Sequence, residues 1–221
     1  MRIRRAAPLP FLLLAAASTT AQTPPAPAAV APAPVKLSEN DVWFQWRVAK
    51  TGMKYQETLC GFHIEGNHLS SDVPRPEWDL NIDQLPADDK VVVGVSAGAF
   101  VVTSKDKHQD RQPRPPITAL SFTVAGNAEP ISARIVGPPS AVNAIRAIID
   151  TEPAARLFSG FYDAQPVTIS ITYQDGATDQ LLVENWKDHR KFAGDKNGYL
   201  HQCEEGMRKA LPAPGHIGSR L

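Results

Sequence analysis

The sequence predicts an α+β domain in which helices pack on one face of a twisted antiparallel sheet, with one disulfide. Three observations lead to this fold class. The first half of the chain alternates apolar and polar residues with the two-residue period of strands. After Val136 the apolar residues recur at helical spacing. Residues 167–184 then form a hairpin pattern around Asp175-Gly176.

Six early strands are predicted, each bounded by Pro, Gly, Asp or Asn. In the second strand Cys60, Phe62 and Ile64 share one face, and the residues between them point the other way. The predicted strands cover residues 42–49, 55–64, 78–82, 91–103, 117–124 and 131–136.

Three helices are predicted in the second half. Ser140 suits the N-cap of the first, whose apolar stripe holds Val142, Ile145, Ile148 and Ile149. The second begins near Thr151 and buries Leu157, Phe158 and Phe161. The third covers residues 199–211 and closes the domain.

The N-terminus reads as a signal for export. Arg2, Arg4 and Arg5 precede a short apolar run and then small residues, so residues 1–21 are predicted to be a secretory signal peptide. Residues 22–35 are rich in Pro and Ala and are predicted to form a linker. Residues 36–212 then form a single globular domain and residues 213–221 a flexible tail. The expected location is periplasmic or secreted.

Charge and hydropathy exclude several classes of partner. Loss of the three arginines reduces the 23 basic residues to 20, against 23 acidic residues. A slightly acidic chain is a poor nucleic-acid binder, so no nucleic-acid partner is predicted. The apolar run near the N-terminus is far below the roughly 20 residues that span a bilayer, so no stable membrane insertion is expected. No cofactor is predicted.

Two cysteines, Cys60 and Cys203, occur in the chain. In an exported protein an isolated pair is most economically a structural disulfide. The two residues are too far apart in sequence for a Cys-x-x-Cys redox motif, the alternative function for a thiol pair.

The sharpest catalytic motif is Gly94-Val95-Ser96-Ala97-Gly98, which matches the nucleophile elbow of serine hydrolases. An elbow must turn directly into a helix, yet residues 99–103 (AFVVT) favour a continued strand. Strand alternation also explains the pattern, with Gly94, Ser96 and Gly98 sharing a small-residue face that is a possible binding surface. A serine hydrolase using Ser96 therefore stays as the alternative. Its partners would be His189 or His201, with Asp163 or Asp195.

A metal site is the second candidate. His63, Glu65 and His68 are possible ligands, and His63 and Glu65 share one side of a strand. Their spacing matches no zinc signature, and three or four ligands are needed. The simpler interpretation is a polar edge that runs into a turn at Gly66-Asn67.

Aromatic residues in the first strand are the third candidate. Phe44 and Trp46 share one face and Trp43 takes the other. Packing in the core explains at least one of them, and an exposed one would suit a ligand surface.

The order of parts resembles small exported proteins of the invasion-associated locus B type. The features that match are the signal peptide, an early strand with Trp and Cys, the hairpin TISITYQDGATDQLLVE and a closing helix. The resemblance implies a non-catalytic envelope protein and transfers no site residue. The sequence thus predicts an exported soluble envelope protein that binds a protein or small ligand through its sheet.

Overall fold

The computed structural model describes residues 33–51, 55–67, 73–87, 90–104 and 110–194. Strands make up 54% of the structure and helices 14%, and the sheet curls into a half-barrel. The predicted α+β class is therefore wrong, because the fold is mostly β and has no layer of helices over one sheet face within these residues. The predicted signal peptide, residues 1–21, and the predicted closing helix and tail lie outside the described residues.

Eleven strands and two α-helices follow one another along the described chain. The strands are β1 (Val35–Lys36), β2 (Val42–Thr51), β3 (Tyr55–Gly66), β4 (Arg75–Ala87), β5 (Lys90–Val102), β6 (Arg111–Pro113), β7 (Ile117–Val124), β8 (Ile131–Ile135), β9 (Ile145–Ile149), β10 (Val167–Tyr173) and β11 (Thr178–Val183). The helices are α1 (Thr151–Tyr162) and α2 (His189–Gly194), and a short 3-10 helix (Glu39–Asp41) joins β1 to β2.

The helix predicted after Ser140 is the main local error. Residues 140–144 form a turn instead, held by the Ser140 hydroxyl accepting the amide N–H of Ala144 at 3.1 Å. Residues 145–149 (IRAII) form β9, which pairs with β5 and β8. Ile145, Ala147 and Ile149 are buried on one face. Three isoleucines in five residues favour a strand, and two-residue alternation explains their burial as well as a helical stripe does.

The longer strands, α1 and the hairpin agree with the sequence patterns, whereas β1, β6, α2 and the 3-10 helix were not predicted. All six early strands are present, α1 buries Leu157, Phe158 and Phe161, and β10 and β11 form the predicted hairpin. The predicted linker ends differently, because Val35 already belongs to β1 and pairs with Leu181.

The sheet curls until its two edge strands are close together. The strand order is β1-β11-β10-β7-β8-β9-β5-β4-β3-β2, with β6 attached to β5. In a flat sheet of this order β1 and β2 would lie roughly 43 Å apart, at about 4.8 Å per strand. Only residues 37–41 join them, and that segment reaches about 22 Å at most. The short connection therefore requires the sheet to curl.

One hydrophobic core fills the concave side. It takes the inward residues of β3, β4, β5 and β7–β11 together with the apolar face of α1, which packs against β5, β7 and β8. At one end an aromatic cluster joins Phe62 to Phe161, with ring centroids 4.5 Å apart, and to Trp186 at 5.2 Å. Helix α1 stabilises the fold by burying Phe161 among these large rings.

A partly buried carboxylate connects opposite walls of the curled sheet. Asp179 on β11 accepts hydrogen bonds from the indole of Trp78 on β4 at 2.8 Å and from the hydroxyl of Tyr173 on β10 at 2.7 Å. Arg114 pairs with the same carboxylate oxygen, and its guanidinium lies 4.1 Å from the centre of the Tyr173 ring. Because β4 is not a neighbour of β10 or β11 in the sheet, these bonds cross the interior.

No disulfide joins two residues of the described chain, which holds one of the two cysteines of the predicted bridge. Cys60 lies in β3, is completely buried and faces the core as the alternation predicted. Cys203 lies outside the described residues.

Candidate functional site

Ser96 lies in the middle of a strand. β5 pairs with β4 on one side and β9 on the other, so that Ser96 stands opposite Asn81 and Arg146. The strand continues to Val102 without turning into a helix. The strand-turn-helix geometry of a nucleophile elbow is therefore absent at this motif.

The structure does not bring Ser96, His189 and Asp163, the predicted hydrolase residues that it describes, together. His189 begins α2, with its ring centroid 5.1 Å from that of Trp186 and its Nε2 atom 3.2 Å from the carbonyl oxygen of Tyr162. Strands β4, β3 and β2 lie between this region and β5. Asp163 ends α1, where its carboxylate accepts the hydroxyl of Ser159 at 3.3 Å. His201 and Asp195 lie outside the described residues.

Two of the three predicted metal ligands are adjacent. His63 Nε2 lies 3.0 Å from Glu65 Oε1, because both residues point outward from β3. His68 lies outside the described residues. Across the part of the chain that the structure describes, no group of three His, Cys, Asp or Glu side chains is placed to hold a metal ion.

His63 belongs instead to a continuous set of hydrogen bonds on the convex face of β2, β3 and β4. We call this set the outer polar network; its members are Gln45, His63, Glu65, Asp79, Asn81 and Asp83. Gln45 donates to Asn81 Oδ1 at 2.9 Å and to Asp83 Oδ1 at 3.4 Å. His63 Nδ1 lies 2.6 Å from Asn81 Oδ1. Asn81 also donates to Asp79 at 3.5 Å.

A glycine makes room for the most buried member of this network. Asp83 is only 7% exposed although it points away from the core. It pairs with Gly61 on β3, and a Cβ atom at Gly61 would lie 2.8 Å from Asp83 Oδ1 and 1.9 Å from the carbonyl oxygen of Ile82. The absence of a side chain at residue 61 therefore allows the carboxylate to lie over the strand.

The aromatic residues of β2 divide between the two faces as predicted. Phe44 packs inward, 5.5 Å from Phe62 and 6.5 Å from Trp186 between ring centroids. Trp43 points outward, and its ring centroid lies 4.5 Å from that of His63. Nothing is described of the Trp46 side chain. Trp43 is half-buried, so it meets only in part the condition that the sequence analysis set for a ligand surface, which was an exposed aromatic.

A cleft opens beside the edge strand β2. The segment after β11 runs along β2, with the amide N–H of Lys187 donating to the carbonyl oxygen of Val42 at 2.7 Å. Between this segment and the strand lies an open cavity of about 440 Å³, which we call the β2 cleft. Its lining residues are Asn40, Trp43, Phe44, Trp186, Lys187, Asp188 and Lys191.

Positive charges outnumber negative charges in the lining of the β2 cleft. Lys191 donates to Asp188 at 2.7 Å, and this hydrogen bond lowers the pKa of the Asp188 carboxyl below its usual 3.8, with a further lowering by the charges of Lys191 and Lys187. Asp188 is therefore ionised at neutral pH. Two lysines against one carboxylate leave the lining with one excess positive charge.

The β2 cleft is the candidate site that sequence reasoning missed. Trp43 and Phe44 were candidates, but Trp186, Lys187 and Asp188 were not, because they lie far along the chain and follow no motif. The only local signal was a tryptophan directly after a strand, flanked by charged residues in ENWKD.

Comparisons with protein-family models, with curated proteins and with solved structures found no match. The resemblance to the invasion-associated locus B type stays a prediction. Among the described residues, no helix has both the length and the apolar character needed to cross a membrane.

Proposed function

We propose that this chain is an exported, non-catalytic binding protein of the cell envelope, and that the β2 cleft takes a small anion that carries a flat apolar ring. The observation that carries the proposal is the cleft itself, which combines the half-buried aromatic side chains of Trp43 and Phe44 with an excess positive charge. Location in the periplasm or outside the cell follows from the sequence prediction of a signal peptide.

The size and composition of the cleft support a small ligand. A volume of about 440 Å³ lies within the range of small-molecule sites, which are apolar with a few convergent polar groups. Trp43 and Phe44 supply the apolar walls, whereas Trp186 borders the cleft but is only 1% exposed. Asn40 adds an amide that can donate or accept a hydrogen bond.

The charge supports an anionic group on that ligand. Because Lys191 is already paired with Asp188, the excess positive charge of the cleft lining comes from Lys187. An ammonium beside an aromatic wall favours a ligand whose ring lies against Trp43 and whose anionic group reaches Lys187.

We expect the probe 8-anilinonaphthalene-1-sulfonate to bind the native mature protein with enhanced fluorescence, because it joins flat rings to a sulfonate. Trp43→Ala should weaken its binding about tenfold or more, the usual effect of removing an aromatic anchor. Lys187→Ala should weaken binding less, since its charge is exposed to solvent. Fluorescence titration gives both affinities, with circular dichroism to verify folding.

Val142→Ala is the matched control. Val142 is the exposed large hydrophobic residue of the described chain, at 48% exposure, and lies in the turn before β9. Its truncation should leave the affinity unchanged. If the probe binds Trp43→Ala as tightly as the parent protein, the β2 cleft is not the binding site.

A further inference from the structure

We propose that the β2 cleft receives the C-terminal residue of a partner polypeptide, which adds as a strand to the outer edge of β2. The last side chain of this partner is aromatic, and its terminal carboxylate lies beside Lys187. The inference rests on the proposed function of the cleft, because a C-terminal aromatic residue is a flat ring that carries a negative charge.

The β2 cleft opens at the edge of the sheet rather than on one of its faces. Trp43 points outward from the sheet and Phe44 packs inward, yet both line the same cavity. β2 is the last strand in the sheet order. A cavity bordered by neighbouring residues on opposite faces of such a strand lies along its outer edge, the side away from β3.

The chain itself already adds one residue to this edge. Lys187 forms a parallel bridge with Trp43, and its amide N–H donates to the carbonyl oxygen of Val42 at 2.7 Å. The pairing then stops, because Asp188 takes a left-handed conformation with φ of 65° and α2 begins at His189. The edge thus accepts a strand, and the segment that begins to cover it turns away.

The remainder of β2 presents a row of backbone groups to an incoming strand. The N–H and C=O of one residue point to the same side of a strand, and successive residues alternate. Since the Val42 carbonyl faces outward, the backbone groups of Trp46 and Val48 also face outward, whereas those of Arg47 face β3. Among the residues that the structure describes, Lys187 is the one that pairs with the outer side of β2. The strand contains no proline, so the row of donors is continuous.

Charge determines the direction of the added strand. The end that reaches Lys187 is the C-terminus of a strand antiparallel to β2 and the N-terminus of a parallel one. The cleft lining carries one excess positive charge, so it favours a terminal carboxylate over a terminal ammonium group. Antiparallel pairing is also slightly more stable per residue than parallel pairing.

The walls of the cleft determine the kind of terminal side chain. Trp43 and Phe44 offer half-buried aromatic surface, and aromatic rings pack well against one another in offset or edge-to-face arrangements. Because the cleft lies at the edge, a side chain can enter it while the backbone of the same peptide pairs with β2. In strand addition, backbone bonds supply affinity and such pockets supply specificity.

The first test measures peptide binding to the full mature protein by fluorescence anisotropy. The probe is Thr-Val-Thr-Val-Thr-Phe with a dye on its N-terminus and a free C-terminal carboxylate. Amidation of the carboxylate should weaken binding about threefold to fivefold, the effect of losing a solvent-exposed ion pair. Replacement of the last phenylalanine by alanine should weaken it about tenfold. Equal affinity of all three peptides would overturn the proposal.

Lys187→Ala identifies the partner of the carboxylate. In that variant the free-acid and amidated peptides should bind equally, because the charge that distinguishes them is gone. Arg134→Ala is the matched control: it removes an exposed cation from β8, four strands away from β2 in the sheet order, and should keep the difference. A difference that persists in Lys187→Ala would refute the C-terminal orientation.

N-methylated peptides test whether the partner binds as a strand. Neighbouring residues of a paired strand direct their N–H groups alternately toward β2 and away from it. Of two peptides methylated at adjacent central residues, one should bind about fivefold more weakly and the other unchanged. Loss of affinity in both peptides, or in neither, would contradict pairing along β2.

Amide hydrogen exchange locates the peptide on the protein. The bound peptide should slow exchange at the outward amides of Trp46 and Val48 and leave that of Arg47, which faces β3, unchanged. Protection of both outward amides before the peptide is added would mean that another occupant, such as a second copy of this chain, already covers the edge. That result would also overturn the proposal.

The small probe separates this inference from the function proposed for the cleft. The peptide should displace 8-anilinonaphthalene-1-sulfonate, and the amidated form should require about threefold to fivefold more. If the probe binds through Trp43 and the peptide does not displace it, the cleft is a small-molecule site and strand addition fails alone. If neither the probe nor the peptide responds to Trp43→Ala, both proposals fail.

Discussion

At the scale of single residues, the most constrained polar group is the Asp179 carboxylate inside the curled sheet. Three donors converge on it from Trp78, Tyr173 and Arg114. Mostly buried carboxylates are stable only when paired in this way. The same contacts affect Tyr173, whose pKa is raised above its usual 10.0, first by burial and then by the hydrogen bond and charge of Asp179.

This raised pKa predicts a loss of stability in alkali. The unfolded chain releases the Tyr173 proton near pH 10, whereas the folded protein retains it, so its contribution is complete below pH 10 and declines above it. We expect the free energy of unfolding to fall by up to about 1.4 kcal/mol per pH unit above that value through this residue alone. Urea unfolding between about pH 9 and pH 11 measures the slope.

Tyr173→Phe is the comparison for this prediction. The substitution should lower the free energy of unfolding by about 1 kcal/mol near neutral pH, because the hydrogen bond to Asp179 is lost. The free energy of unfolding of this variant should then fall less steeply in alkali than that of the parent protein. Parallel curves for the two proteins would show that the buried hydroxyl does not cause the alkaline loss.

The sequence placed Tyr173 on the apolar face of its strand correctly, but nothing in it pointed to Asp179 as the shared acceptor, because two of the donors lie more than 60 residues away.

At the scale of elements, the local sequence pattern was sufficient to predict most strands. It was insufficient in a short segment that fits both the two-residue period of strands and the 3.6-residue period of helices. The hairpin of β10 and β11 was predictable because its alternation, its turn and its pairing all lie within about twenty residues. β9 was mistaken for a helix because five residues are too few to separate the two periods. Its pairing with β5 and β8, distant in sequence, decides its conformation.

Close approach between β3 and β4 is the most demanding contact between two elements. A Cβ atom at Gly61 would lie 1.9 Å from the carbonyl oxygen of Ile82, so Gly61→Ala forces the two backbones apart. We expect a loss of about 3 kcal/mol in the free energy of unfolding, together with changed resonances at Gln45 and Asp83. Urea unfolding and amide NMR provide the two measurements.

Gly98→Ala is the matched control, on the same convex face of the sheet. Its Cβ atom would meet the Phe100 ring at 3.2 Å and Ala144 at 3.5 Å, and the ring can turn away. The change in stability should stay within about 1 kcal/mol. A similar cost for both substitutions would mean that the space around Gly61 has no special role.

At the scale of the whole molecule, closure of the sheet joins the fold to the cleft. β1 pairs in parallel with β11, and the chain then crosses to β2, where Trp43 meets Lys187. The lining of the β2 cleft therefore comes from two ends of the chain. Alternation could place Trp43 outward, but the pairing that brings Trp186 and Lys187 beside it spans more than 140 residues and leaves no periodic signal.

Trp186 holds this closure in place. It is 1% exposed, donates from Nε1 to the carbonyl oxygen of Phe161 at 2.8 Å and packs against Phe62. Trp186→Phe removes that bond and part of the ring. We expect it to reduce stability by about 2 kcal/mol, through one lost hydrogen bond and a small cavity, while the Phe161 carbonyl oxygen keeps the amide N–H of Ala164 at 3.1 Å.

Hydrogen exchange at two backbone amides measures directly how often the edges of the curled sheet separate. The amide of Leu37 donates to Leu182 at 2.9 Å at the β1 edge, and the amide of Lys187 donates to Val42 at 2.7 Å at the β2 edge. Because residues 37–41 are the short connection between these edges, opening of one should open the other. Trp186→Phe should therefore accelerate exchange at both amides, by about 30-fold for a change of 2 kcal/mol.

The Tyr173 amide, bonded to Ala177 at 2.9 Å within the hairpin, is the internal reference. It should respond less, because the hairpin bond is local and can persist while the edges separate. Acceleration at Lys187 without acceleration at Leu37 would mean that the edges open independently. In that case the short connection would not couple them, and the cleft would be a feature of the β2 edge alone rather than a consequence of the curled sheet.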